Sequence, residues 1–516
     1  MIAPSSNLGH FVTKRAHLNP DLEAIVDTGT GRRVTFAEFN ERINRSAHLL
    51  GDLGVEKGDR IGLLMMNSLE FEETFFAVAK LGAVVVPLNW RLVPDELAFI
   101  LADSGTSVLV YGSEFAGTVV DLHDRGDATA VRSWVQVDAD VPEWAVDYGS
   151  AHAVAPTDEI DVETTTDDLL YIMYTSGTTG TPKGVMHTHG TALWSVLTID
   201  ATADQHFADR YLVALPLFHV GALTPAVAAC YAGVTQVVMR TFDPVRAWQL
   251  IGEERVTTGL LVPAMLQFML QARPAAGDVA IEQVRWIMSG ASPVPVNLIQ
   301  AYAELGIEIH QVYGLTESCG PACLISPDEA LTRAGSTGKE FFFTRVRVVD
   351  EDGNDVPAGE PGEVICQGAH VMVGYWNRPD ETAEAMVDGW LHTGDVAIVD
   401  KDGYIYIHDR IKDMIISGGE NVYPAEIENV LLGHPAVADV AVIGQRSQRW
   451  GESPLAVVVR TDESLTEADV LAFSEGKLAR YKQPRAAVFV AEIPRNPTGK
   501  ALKRVLRDQF PDPAPD

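Results

Sequence analysis

Apolar residues at Phe36, Phe39, Ile43, Ala47 and Leu50 recur at the spacing of one helical face. Thr35 and Glu38 form a capping box ahead of them. Gly54 and Gly58 then punctuate the chain, and residues 60–66 read as a strand. Asn67 and Ser68 cap a second helix that ends near Gly82, and residues 83–88 form the next strand. This βαβ rhythm predicts a parallel sheet with helices on its faces. Residues 137–168 are rich in Asp and Glu with little periodicity, and read as a solvated surface excursion with no binding role.

The alternation resumes with strands at 169–175 and 211–215, a helix around 225–231 and a strand at 235–239. A helix capped by Asp243, with Pro244 in its first turn, follows, then strands at 284–288 and 307–312. After residue 340 the texture changes. Short strands at 345–349, 363–367 and 404–407 are separated by the turns Asp352-Gly353, Asp388-Gly389 and Asp402-Gly403, which predicts a small β subdomain. A last unit has its own strand and helix signals, one helix capped by Thr466. The predicted class is α/β: a large N-terminal α/β region, residues 1–409, with parallel sheets and the β subdomain, then a junction at 410–412 and a small α+β C-terminal domain at 413–516. The chain's 516 residues exceed what one core of about 250–300 residues accommodates.

Composition narrows the partners. The net charge is −32, from 71 acidic against 39 basic residues, which excludes nucleic acid on electrostatic grounds. Cys230, Cys319, Cys323 and Cys366 are too few for a disulfide framework and lack the partners of a zinc set, so a reduced cytoplasmic location is expected. The most apolar stretch, residues 215–234, is broken by Pro216, His219, Gly221, Thr224 and Pro225. A buried core segment is therefore expected there, without stable membrane insertion. The first residues do not have the pattern of a signal peptide.

The strongest chemical signal directly follows the predicted strand at 169–175. The run Tyr174-Thr175-Ser176-Gly177-Thr178-Thr179-Gly180-Thr181-Pro182-Lys183-Gly184 combines glycines, hydroxyls and one ammonium. Glycines let backbone N–H groups approach an anion, and the hydroxyls and Lys183 complete a polyphosphate cradle. The spacing differs from the GxxxxGK[ST] loop.

This segment resembles the phosphate loop of the adenylate-forming superfamily, which includes acyl-CoA synthetases, amino-acid adenylation domains and beetle luciferases. Four further segments resemble that family's motifs, in its order: Gln311-Val312-Tyr313-Gly314-Leu315-Thr316-Glu317, His392-Thr393-Gly394-Asp395, residues 409–424 with Gly418-Gly419, and Pro494-Arg495-Asn496-Pro497-Thr498-Gly499-Lys500. The whole chain resembles bacterial fatty-acyl-CoA synthetases. The resemblance implies ATP and coenzyme A as co-substrates of a carboxylic acid, and Mg²⁺ as cofactor. It places Mg²⁺ on Thr179 and Glu317, and the β- and γ-phosphates on Thr175, Ser176, Gly177, Thr178, Gly180 and Lys183. Thr316 would touch the α-phosphate, and Tyr313 would stack on adenine beside Gly290-Ala291-Ser292. Asp395 and Arg410 would bind the ribose. Lys500 would bridge carboxylate and α-phosphate, and Lys412 would be the hinge of a mobile C-terminal domain. Gly418 and Gly419 would line the thiol channel.

The acid is less sharply indicated. His219 falls where amino-acid adenylation domains usually carry an Asp, which argues against an amino-acid substrate. His219, Val220, Gly221, Gly314 and Leu315 would border an apolar acyl pocket suited to a medium- to long-chain fatty acid, with an aryl or sterol-derived acid as the alternative. A separate acyl carrier protein is the alternative acceptor, since no carrier segment follows Lys500. A homodimer is compatible with the sequence. A non-catalytic nucleotide sensor is disfavoured by the presence of Lys500, Glu317 and Asp395.

Overall fold

A computed structural model describes residues 6–138, 140–175, 182–292, 294–410, 413–417, 420–447, 450–495 and 500–511. Two large, mainly parallel sheets make up the N-terminal region. One has eight strands, ordered Gly374–Tyr375, Lys183–Thr188, Leu169–Thr175, Val84–Pro87, Arg60–Leu64, Thr106–Gly112, Ser133–Val137 and Val146–Asp147. The other has nine, with Glu308–Tyr313, Trp286–Ser289, Thr258–Leu260, Arg210–Val213 and Thr235–Val238 running parallel at its centre. Helices of both sheets share one core, in which Phe36, Phe39, Phe71, Phe75 and Phe76 are buried. An antiparallel sheet of Arg345–Val349, Pro361–Gln367, Trp390–Val399, Met386–Val387 and Ile405–Arg410 forms the β subdomain. Residues after 413 build a separate sheet, with helices Pro424–Leu431, Glu467–Ser474 and Lys503–Gln509. Its core includes Ile415, Val422, Ile427, Leu431, Val442 and Val458. The architecture is α/β with parallel sheets and an α+β C-terminal unit.

Local signals acted where the chain placed them. Thr35 and Glu38 form the reciprocal capping box of Phe36–Asp52. Ser68, and not Asn67, caps Leu69–Lys80 by accepting from the Phe71 N–H. Asn67 serves a distant loop instead: Nδ2 donates to the Leu215 carbonyl at 2.8 Å, and Oδ1 accepts from the Leu217 N–H at 2.8 Å. The helix expected around 225–231 starts earlier and runs Val220–Ala232, with His219 as N-cap and Pro225 inside it. Pro225 has no N–H to give, which costs one helical bond without ending the helix.

The acidic stretch 137–168 is largely exposed, as expected, but it is anchored to the sheet and to a buried lysine. Val146–Asp147 joins the eight-stranded sheet, and Tyr148 at the start of helix Tyr148–Val154 is buried. Glu159 forms an ion pair with Lys80, which is fully buried and also donates to Asn40 Oδ1 at 2.9 Å and Asn44 Oδ1 at 2.6 Å. A buried ammonium needs such partners, and this stretch supplies the anionic one.

Candidate active site

Strand Leu169–Thr175 lies deep in the sheet, with Leu170, Tyr171, Ile172 and Met173 buried. It pairs antiparallel with Lys183–Thr188, in a register that sets Thr175 opposite Lys183 and Tyr174 opposite Gly184. The apolar run is thus a hairpin stem that brings one hydroxyl and one ammonium side by side. Ser176, Gly177, Thr178, Thr179 and Gly180 lie outside the described residues. The Tyr174 hydroxyl donates to Asp103 Oδ2 at 2.6 Å, and burial, with this contact adding to it, raises its pKa.

Glu317 sits in the short turn Thr316–Ser318 after strand Glu308–Tyr313. Its Oε1 accepts from the Tyr375 hydroxyl at 2.9 Å, and the Lys183 ammonium lies 5.1 Å from the Tyr375 ring centre. The Thr316 carbonyl accepts from His187 Nε2 at 2.7 Å, and His187 Nδ1 meets Thr191 Oγ1 at 3.1 Å. Burial pushes the His187 imidazole down to about 4, so it is neutral with its proton on Nε2. Lys183, Thr175, Thr316 and Glu317 therefore share one neighbourhood. Tyr375 and His187 hold it in place, and sequence reasoning assigned neither. Among the described residues, no three His, Cys, Asp or Glu side chains form a ready-made metal cage. Glu317 offers one hard carboxylate oxygen site, a donor set that fits Mg²⁺ held partly by nucleotide phosphates.

A second cluster brings together the residues expected at the nucleoside. The Tyr313 hydroxyl donates to Asp395 Oδ2 at 2.7 Å, and the Tyr313 ring packs with Ala322, Val348, Val364, Ala397 and Ile405. Burial and the adjacent Asp395 carboxylate push the Tyr313 pKa well up. Asp395 is paired in register with Arg410 across adjacent strands. The irregular stretch His392–Asp395 of strand Trp390–Val399 is held by Glu363, which accepts from the Gly394 N–H at 3.0 Å and contacts His392 Nδ1 at 2.8 Å. Sequence reasoning missed Glu363 as well. Gly290 has no room for a side chain, because a Cβ there would lie 2.2 Å from the Val312 carbonyl oxygen. Ala291 is exposed, with φ +68°, and Ser292 is half-buried beside it.

Of the residues expected at the acyl pocket, His219 ends the Leu215–Phe218 loop. Its ring lies 4.4 Å from that of Phe218, which in turn meets Trp90 at 6.1 Å. Burial, helped by Arg91, pushes the His219 pKa down to about 3, and Nε2 is shut off from solvent with no hydrogen-bond partner. Val220 and Gly221 open the following helix, whose Thr224 hydroxyl donates to the Cys319 carbonyl at 3.0 Å. An apolar cavity lies between this helix, helix His189–Asp200 and the hairpin stem, lined by Tyr171, Val196, Leu223, Thr224, Val227 and Cys319. Gly314 and Leu315 enter the turn that closes on Gly320, where Leu315 N–H and Gly320 N–H meet Ser318 Oγ and the Leu315 carbonyl.

The remaining candidates belong elsewhere in the chain. Lys500 is half-buried next to the bridge Arg495–Ala501 in the C-terminal unit. Lys412, Gly418 and Gly419 lie outside the described residues, as does the side chain of Arg410.

Residues 12–376 match the model of the AMP-binding enzymes, and residues 426–500 that of the AMP-binding enzyme C-terminal domain. The chain belongs to the AMP-binding enzymes and is an AMP-forming acid–thiol ligase. It is 45% identical to the long-chain-fatty-acid–CoA ligase FadD13 of Mycobacterium tuberculosis, over 98% of this chain and 98% of that one. It is 40% identical to a feruloyl-CoA synthase of Amycolatopsis sp, over 98% of this chain and 99% of the relative. A solved fatty acyl CoA synthetase of Mycobacterium tuberculosis superposes with a TM-score of 0.79 at 43% identity, covering 98% of each chain.

Proposed function

We propose that the protein activates a medium- to long-chain fatty acid with ATP and passes the acyl group to coenzyme A. The observation that carries the nucleotide half is the meeting of Lys183 and Glu317 on Tyr375 at the end of the Thr175–Lys183 stem. In the first step the acid's carboxylate oxygen attacks the α-phosphorus, and the bond to pyrophosphate breaks. In the second, the thiol sulfur attacks the acyl carbon, loses its proton and expels AMP.

In this reading Thr175, Lys183 and the intervening residues 176–180 hold the β- and γ-phosphates, and Thr316 addresses the α-phosphate. Gly290, Ala291, Ser292 and Tyr313 border adenine, and Asp395 with Arg410 takes the ribose hydroxyls. Glu317 and Thr179 would hold Mg²⁺, which when bound would neutralise phosphate charge. Lys500 bridges carboxylate and α-phosphate when the C-terminal unit, residues 413–516, closes about a hinge at 410–412. That unit then turns, and Gly418 and Gly419 line the thiol channel.

The relatives' names support both a fatty and an aryl acid. His219 is neutral and apolar in its surroundings, and this favours an uncharged acyl group over an amino acid. The Trp90–Phe218–His219 ring group favours the second reading, an aryl acid. Pyrophosphate release measured with acids of graded length and shape, with coenzyme A or a purified acyl carrier protein, decides. Medium- and long-chain acids with coenzyme A should give the highest kcat/KM. A tenfold preference for an aryl acid, or for the carrier protein, would overturn that choice of substrate or acceptor.

A further inference from the structure

Tyr375 lies outside every motif picked out above, yet it is the side chain that touches both charged groups at the base of the phosphate loop. It belongs to the two-residue edge strand Gly374–Tyr375, paired antiparallel with Lys183–Thr188 so that Tyr375 faces Val185. Its backbone is held tightly. The Tyr375 N–H donates to Thr382 Oγ1 at 2.9 Å, the Val373 N–H to the Met186 carbonyl at 3.2 Å, and the Trp376 N–H to the Gly184 carbonyl at 2.7 Å. The Met372 N–H donates to the Glu317 carbonyl at 2.8 Å. One segment therefore binds both the Glu317 turn and the Lys183 strand through its backbone.

Asp103, at the end of helix Pro94–Ser104, anchors this segment from the other side. Its carbonyl accepts from Trp376 Nε1 at 2.9 Å, and its Oδ1 from Arg378 Nη2 at 3.2 Å. The same carboxylate takes the Tyr174 hydroxyl at 2.6 Å. The Tyr174 end of the stem and the Tyr375 strand thus share a single post.

We infer that Tyr375 is a positioning residue for the nucleotide's phosphates: its hydroxyl orients Glu317 while its ring holds the Lys183 ammonium. This rests on the reading that Lys183 and Glu317 address those phosphates. The physical advantage lies in what a phenol does to each charge. A hydrogen bond from a neutral hydroxyl fixes a carboxylate without neutralising it. A ring face attracts an ammonium without supplying a counter-charge. This arrangement leaves Lys183 aimed toward phosphate oxygens and Glu317 toward a divalent cation, without pairing the two with each other. A direct Lys183–Glu317 ion pair would satisfy the two groups with each other.

The test is calorimetric binding of ATP with and without Mg²⁺, and of AMP, to wild type, Tyr375→Phe and Tyr375→Leu, with thermal unfolding of each. Tyr375→Phe keeps the ring and removes the hydroxyl. It should weaken ATP binding about tenfold with Mg²⁺ present, the scale of one hydrogen bond to a charged group, and change it little without Mg²⁺. AMP binding and the melting temperature should stay at wild-type values. Tyr375→Leu, which also removes the ring, should weaken ATP binding in both conditions while AMP still binds. Equal losses for ATP and AMP together with a lowered melting temperature would show a merely structural tyrosine and overturn the inference. So would unchanged ATP affinity in both variants. Failure of the wild type itself to bind ATP would instead overturn the functional reading on which the inference rests.

Discussion

Gly314 has no room for a side chain: a Cβ built there would lie 1.5 Å from the Gly320 carbonyl oxygen. That oxygen is backbone and cannot swing aside, so Gly314→Ala must displace the turn that carries Thr316 and Glu317. Its expected outcome is loss of acyl-adenylate formation in a pyrophosphate-release assay, with a smaller drop in melting temperature, because the strain is confined to one turn. Retention of wild-type activity would mean that the turn tolerates the shift. Glu317 itself gives a separate test. Glu317→Gln keeps the size of the side chain and removes its charge, and should slow adenylation about 10²-fold, the scale of one preorganised electrostatic group. Measurement at low Mg²⁺ is the sharpest check. Undiminished acyl-AMP formation there would remove Glu317 from the proposed site.

Helix Leu69–Lys80 is buried along its whole length although it carries three glutamates and a lysine. Each charge meets a partner from another element. Glu70 takes Arg32 Nη2 at 2.8 Å, and Glu73 takes Arg42 Nε at 2.7 Å and the Tyr148 hydroxyl at 2.6 Å. Glu72 receives only a neutral donor, Gln236 Nε2 at 2.7 Å, and its Oε1 has no hydrogen-bond partner. Burial pushes the Glu72 carboxyl up to about 8 from its ordinary 4.5, with the Gln236 bond opposing and Asp27 adding to the shift. The folded state therefore keeps a proton that the unfolded chain releases. The stability this contributes is full below the unfolded value of about 4.5 and is lost as pH rises through about 8. Glu72→Gln should remove that loss. Its melting temperature relative to wild type should climb from about pH 5 to about pH 9, and parallel curves would show that Glu72 does not titrate as described.

At the scale of the molecule, the proposed catalytic lysine and the proposed phosphate site come from different units. Lys500 belongs to the C-terminal unit with its own hydrophobic core, whereas Thr175, Lys183, Glu317 and Asp395 belong to the N-terminal sheets. If the unit alternates between two placements, the half-reactions separate. Lys500→Ala should lose adenylation by about 10²-fold and still convert pre-made acyl-AMP to the thioester. Gly419→Leu should do the reverse by obstructing the thiol channel. Single-turnover assays of each half-reaction check both, and equal slowing of the two steps by Lys500→Ala would contradict alternation. Among the described residues no helix is long and apolar enough to cross a membrane.

The chemistry of this protein is written locally. An N-cap bond spans three residues, so the caps at Thr35, Asp243 and Thr466 were legible in the chain, and the proposed phosphate cradle is likewise read from one local run of glycine, hydroxyl and ammonium. The α/β class was legible for the same reason, because helix and strand periods are short-range. The groups that hold the site were not. Tyr375 meets Glu317 across 58 residues of sequence, Tyr174 meets Asp103 across 71, and Gly394 meets Glu363 across 31. Lys80 and Glu159 pair across 79, which ties the exposed acidic stretch to the buried helix Leu69–Lys80. Contacts between such distant positions leave no period in the sequence. Only the three-dimensional packing of the sheets determines which tyrosine reaches which carboxylate, and so which charges meet at the proposed nucleotide site.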